Sequence, residues 1–197
     1  TLRQQMGWSQ EQVVFGLIAN FRPCKGHREF VQAAAIIAQR HPEARFVMAG
    51  GDRGERDSIV RQVEHLGLNS VVRILESDPC PEKIFAALDI CVCTSHAEGF
   101  SNVILEAMAC GKPEKGTRVG GNPESIRHGE WGLRVAEGDP EAVAGIVGQL
   151  LDKEAWCRTV GMNARKSGEQ EFSLETMVRA HENLYQELLR KRRQAAI

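Results

Sequence analysis

Short apolar runs at residues 13–19, 45–49, 71–75 and 89–94 alternate with stretches of helical periodicity at 28–40, 55–66 and 81–88. Runs too short for helices, yet apolar at successive positions, are buried on both faces, as strands of a parallel sheet are. The alternation predicts an α/β domain: a Rossmann-like parallel sheet with helices on both faces. Gly67 is placed to close one helix, and Pro81 and Pro140 to open two others. Near the end of the chain Leu174, Met177, Val178, Leu184, Tyr185, Leu188 and Leu189 recur at helical spacing behind a candidate cap, Ser173. Most of that stripe is expected to pack on its own domain.

The candidate chemistry centres on residues 95–113, where Glu98 and Glu106 are separated by seven residues. Glu106 interrupts an apolar run, and a carboxylate there needs a hydrogen-bond partner if it is buried. Ser101 is placed to cap a helix from about 102 to 110 that stops at Gly111 and Pro113. The free N–H groups of Gly99, Phe100, Ser101, Asn102 and Val103 would then face an opening at the end of a strand and suit an anion. Two flanking carboxylates can accept from sugar hydroxyls, so a ligand with phosphates and hydroxyls fits best. The plainer alternative places Glu98 on a solvated loop and Glu106 on the exposed stripe of an amphipathic helix.

A second loop points the same way. Arg22 and Lys25 follow the first apolar run and precede Gly26 and a helix, which puts cations at the carboxyl edge of the sheet. Arg grips phosphate bidentately and Lys acts as a point charge; two solvated loop cations are the alternative. Gly50 to Gly54 reads more simply as a tight turn than as a nucleotide loop. His96 invites a catalytic role but lacks a carboxylate at relay spacing, so a loop-shaping role is expected. His27, His41, His65, His128 and His181 read as polar surface residues.

With 197 residues the chain suffices for one sizeable core, and it contains no repeat or long linker. A net charge of -1 gives no general pull toward nucleic acid or membrane, so an anionic ligand must be steered by local cations. The six cysteines, Cys24, Cys80, Cys91, Cys93, Cys110 and Cys157, lack the paired spacing of a zinc site and read as small core residues in a reducing cytoplasm. No membrane-spanning run is present in the sequence, although a preceding segment could carry one.

Arg22 with Lys25-Gly26, Ala49-Gly50-Gly51, Glu98-Gly-Phe-Ser-Asn102, Glu106-Ala-Met-Ala-Cys-Gly-Lys-Pro113 and Val119-Gly-Gly-Asn-Pro-Glu124 together resemble the carboxyl-terminal domain of a family 4 retaining glycosyltransferase, a GT-B protein. The resemblance runs from about residue 13 to 189 and makes the whole chain, 1–197, a nucleotide-sugar binding domain. It implies that Glu106 accepts from the donor's ribose, that Glu98 binds hydroxyls of the transferred sugar, and that Arg22 and Lys25 hold the diphosphate with help from the amides of Gly99, Phe100, Ser101 and Asn102. Main-chain groups near Arg73 and Ile74 would meet the base, and Glu124 would line the donor site. It also implies no metal, no cofactor beyond the nucleotide diphosphate sugar, and retention of configuration. The acceptor, a saccharide, lipid or small molecule, stays unidentified.

Three departures accompany the resemblance. The family's buried apolar strand is replaced by Glu114-Lys-Gly-Thr-Arg118, which is expected to be exposed, rearranged or poorly ordered because buried charges cost several kcal/mol unless paired. Arg22 and Lys25 stand closer together than in many relatives. The amino-terminal domain, which would supply the acceptor site and a histidine near the sugar, is missing, so the chain alone is expected to be inactive. The resemblance implies that the terminal helix, 173–197, crosses to that domain; its Arg190-Lys-Arg-Arg193 either complements the helix dipole or touches an anionic membrane. A nucleotide-sugar epimerase of GT-B type and a non-catalytic nucleotide-binding module are the alternative functions.

Overall fold

The computed structural model describes residues 1–127, 129–151 and 154–194. Its strands are β1 (Val13–Ile18), β2 (Ala44–Ala49), β3 (Val72–Leu75), β4 (Ile90–Cys93), β5 (Glu114–Thr117) and β6 (Gly132–Val135), paired in parallel in the order β3-β2-β1-β4-β5-β6. The helices are α1 (Leu2–Gln5), α2 (His27–Arg40), α3 (Arg56–His65), α4 (Glu82–Ala87), α5 (Asn102–Ala109), α6 (Asn122–Ser125), α7 (Pro140–Leu151), α8 (Glu154–Glu171) and α9 (Leu174–Gln194). The expected Rossmann-like α/β architecture is therefore present.

Alternation along the strands sends side chains to two separate cores. Phe15, Leu17, Phe46, Met48, Ile90 and Val92 pack with α2, α3 and α7, whereas Val14, Val47, Ala49 and Cys91 pack with α4, α5, Met6 and Trp8. Phe15 and Phe46 stack at 5.7 Å between ring centres. The first residues belong to the second core, where buried Arg3 donates to the Ala87 and Gln12 carbonyls and to Asp89. Gly67 ends α3 in a left-handed conformation, Pro140 opens α7, and the Ser173 hydroxyl caps α9 by accepting from the Thr176 N–H.

Residues 114–117 overturn the expectation of an exposed or rearranged segment: they form β5, buried along its length in the interior of the sheet. The strand tolerates its charges by placing them on opposite faces and suppressing ionisation. Glu114 pairs in register with Cys91, whose thiol is a weak partner for a carboxyl that otherwise lacks hydrogen bonds among the described residues, and burial pushes its pKa up to about 8. Lys115 is fully buried on the other face, its ammonium donating to the Val143 and Ala142 carbonyls, and burial brings its pKa down to about 7. Gly116 sits where a Cβ would lie 2.6 Å from Ile126.

Three further expectations change. No residue of α9 among those described is buried, so its apolar stripe does not pack on this domain. His27 is fully buried rather than a surface residue, stacked on Phe21, and burial holds its pKa near 4. Cys24 is exposed, not a core residue, whereas Cys91 and Cys93 are buried as expected. His128 lies outside the described residues.

Candidate functional site

The helix after β1 leads toward β2 and the helix after β4 leads toward β5, so the carboxyl edge between β1 and β4 is the point where the strand order reverses. Connections diverge there and leave a crevice, the usual ligand position in such sheets. The loop after β1 closes with a short 3-10 helix, Pro23–Lys25, and Gly26 at φ 70°. A side chain at Gly26 would meet the Thr94 carbonyl at 2.0 Å, so only glycine lets this loop press against the end of β4. The contact is sealed by the Thr94 hydroxyl donating to the Gly26 carbonyl at 2.7 Å and the His96 N–H donating to the Cys24 carbonyl at 2.9 Å.

Across this junction Lys25 Nζ donates to Glu98 Oε1 at 2.6 Å, and Ser95 Oγ donates to the same oxygen at 2.7 Å. The Glu98 side chain is only 9% exposed, and the pair occupies a narrow crevice lined also by Leu17, Ile18, Ser101 and Val103. Partial desolvation makes such a pair stronger than one on open surface. A wider cavity of about 510 Å³ opens at the opposite edge, beside Gln12, Val13, Asp89, Lys112 and Pro113. That edge carries strand starts rather than the diverging loops, so its size does not make it the better candidate.

Ser101 occupies the cap position of α5, but its side chain makes no capping bond, so the expected side-chain cap is absent. Gly99, Phe100 and Asn102 are exposed beside it. The segment is held from below: the Gly121 N–H donates to the Gly99 carbonyl at 2.7 Å, and a Cβ on Gly120 would come within 1.6 Å of the Glu98 carbonyl. Glu106 is exposed on α5, and partial desolvation raises its carboxyl pKa. No side chain among the described residues hydrogen-bonds to it, which leaves its acceptor oxygens available.

The crevice therefore brings together Lys25, Glu98 and Ser101, with Arg22 exposed at the start of the 3-10 helix. Arg73 and Ile74 lie inside the edge strand β3, within the apolar run expected at 71–75. The Arg73 guanidinium turns back to the Asn69 and Val72 carbonyls and over the Trp8 ring. Glu124 is exposed. The Gly50-Gly51 segment is a structural turn whose Gly51 N–H donates to Asn20, while a Cβ at Gly50 would meet the Ala19 carbonyl at 2.0 Å.

Sequence reading missed the partners of His96, which come from distant parts of the chain. Its Nε2 is 3.1 Å from Glu29 of α2, and its Nδ1 is 2.9 Å from Glu137, just beyond β6. It also missed Ser95, whose signal was only its place three residues before Glu98. Among the described residues no cluster of three or more His, Cys, Asp or Glu is arranged to hold a metal ion, and no helix is long and apolar enough to cross a membrane.

The profile of the family described as glycosyl transferases group 1 matches residues 1–167. N-acetyl-alpha-D-glucosaminyl L-malate synthase of Bacillus anthracis is 36% identical over 96% of this chain and 49% of its own length. The structure of Anabaena HepE in complex with UDP-glucose matches 94% of this chain and 51% of its own, at 30% identity and a TM-score of 0.86. The carboxyl-terminal domain of a glycosyl transferase group 1 protein from Francisella tularensis shares the fold over 87% of this chain and 91% of its own, with a TM-score of 0.76 at 24% identity. The chain thus spans about half the length of the full relatives and nearly the whole of an isolated carboxyl-terminal domain.

Proposed function

Because this chain belongs to the glycosyl transferases group 1 and has the fold of a GT-B carboxyl-terminal domain, we propose that it is the donor-binding half of a retaining glycosyltransferase that takes its sugar from a nucleotide diphosphate sugar. The observation that carries this reading is the Lys25–Glu98 pair, which joins the loops after β1 and β4 at the point where the strand order reverses. The Anabaena protein's complex with UDP-glucose supports a uridine diphosphate sugar as the donor to try first.

In this reading the donor's diphosphate enters beside Lys25 and exchanges a carboxylate partner for phosphate oxygens, with Arg22 gripping from the rim. The amides at the start of α5 add fixed dipoles. Glu98, relieved of part of its ion pair, accepts from hydroxyls of the sugar, and Glu106 accepts from the ribose. As the anomeric bond breaks, negative charge grows on the departing diphosphate. Cations already held there stabilise that charge more than the ground state and so lower the barrier. The leaving phosphate assists removal of the acceptor's proton on the same face, which gives retention. The acceptor site belongs to a partner half that precedes this domain, and turnover requires both.

Calorimetry with UDP and uridine tests the assignment. Lys25→Ala is expected to weaken UDP binding by about 1.5–3 kcal/mol, the usual range for a hydrogen bond to a charged group, with Arg22→Ala smaller and uridine changed little by either. Equal losses for UDP and uridine would overturn the diphosphate grip.

A further inference from the structure

His96 makes three tethers from one residue. Its N–H donates to the Cys24 carbonyl, its Nε2 faces Glu29 in the first turn of α2, and its Nδ1 faces Glu137 beyond β6. These contacts link the segment bearing Glu98 to two elements that do not otherwise belong to the crevice. We infer that His96 is a positioning residue whose ring, fastened between Glu29 and Glu137, holds the Glu98 segment in place and thereby strengthens recognition of the donor's sugar. The part concerning the sugar rests on the donor reading above; the fastening rests on this geometry.

Carboxylate oxygens only accept, and a ring N–H donated to a carboxylate makes a charge-assisted bond, stronger than a neutral one. The charged groups that face this segment are Glu29 from α2, Glu137 from beyond β6, Lys25 from the 3-10 helix and Glu98 from the segment itself, the last two paired with each other. Glu29 and Glu137 reach the ring from two different elements, so the fastening holds the Glu98 segment from two sides.

Amide hydrogen exchange in the ligand-free chain at residue 96 and Gly121, whose N–H groups donate to the Cys24 and Gly99 carbonyls, tests the fastening. Protection there is expected to fall about tenfold, the effect of losing one charge-assisted bond, in His96→Gln and separately in the double variant Glu29→Gln with Glu137→Gln, while circular dichroism stays that of the parent. Calorimetry on the same proteins reads the consequence: His96→Gln is expected to lose about threefold to tenfold in affinity for UDP-glucose and less for UDP. Equal exchange in parent and variants would overturn the inference. Equal losses for UDP and UDP-glucose would overturn its link to the sugar. If the parent binds neither nucleotide, the donor reading fails while the exchange result still decides the fastening.

Discussion

Glu114 and Lys115 stand side by side on a buried strand, and each has a pKa moved toward neutrality by its surroundings. Burial raises Glu114 from its ordinary 4.5 to about 8, so the stability tied to its protonated form is complete below pH 4.5 and is lost as the pH rises through 8. Burial lowers Lys115 from 10.5 to about 7, so the stability tied to its neutral form is complete above pH 10.5 and is lost as the pH falls through 7. The two contributions place a minimum of stability between pH 7 and 8. Urea unfolding from about pH 5 to about pH 10 should show the minimum, and the double variant Glu114→Val with Lys115→Val should remove it and add about 1–4 kcal/mol near neutrality, as replacing buried charged groups often does. A flat profile in the parent chain would contradict the assignment. Sequence reading treated this pair as incompatible with burial because it counted the charges as permanent; opposite faces and altered protonation let β5 keep its place.

Among elements, the legible ones were those whose apolar pattern is continuous. The strands β1 to β4 and the helices α2, α3, α4 and α5 match the expected runs to within a residue or two. β5 was hidden by its charges, and β6, only Gly-Leu-Arg-Val, presents too short an apolar pattern to stand out. The loop that carries Glu98 depends on another inconspicuous element, the turn at Gly120-Gly121 that packs directly under it. Gly120 has φ 49° and no room for a Cβ, so Gly120→Ala should cost about 1–3 kcal/mol of stability and lower UDP affinity in parallel; unchanged melting and binding would show that the loop does not rely on this support. At the other end of the chain, α9 carries a correct helical period, but periodicity alone cannot say which surface an apolar stripe meets. Since none of its described residues is buried here, deleting residues 173–197 should leave the melting temperature within about 2 °C of the parent. A large drop would mean that α9 packs on this domain after all.

At the scale of the whole molecule, the strand order β3-β2-β1-β4-β5-β6 explains why two loops far apart in sequence meet. Placing β1 beside β4 brings Lys25 to Glu98, a contact no local spacing announces, although both residues were singled out separately by their motifs. Arg22 and Glu106 are exposed; in the proposed reading they belong to one wall of the donor site, and the chain spans about half the length of the full relatives it matches. The central claim is that this wall receives the diphosphate of the donor at the junction of β1 and β4. Titrating isotopically labelled chain with UDP and following backbone amide shifts tests it most directly. The account predicts saturable shifts centred on Lys25, Gly26, Ser95, Gly99 and Asn102, abolished together by Lys25→Ala; shifts centred instead on Gln12, Asp89 and Lys112 at the opposite edge of the sheet would contradict it.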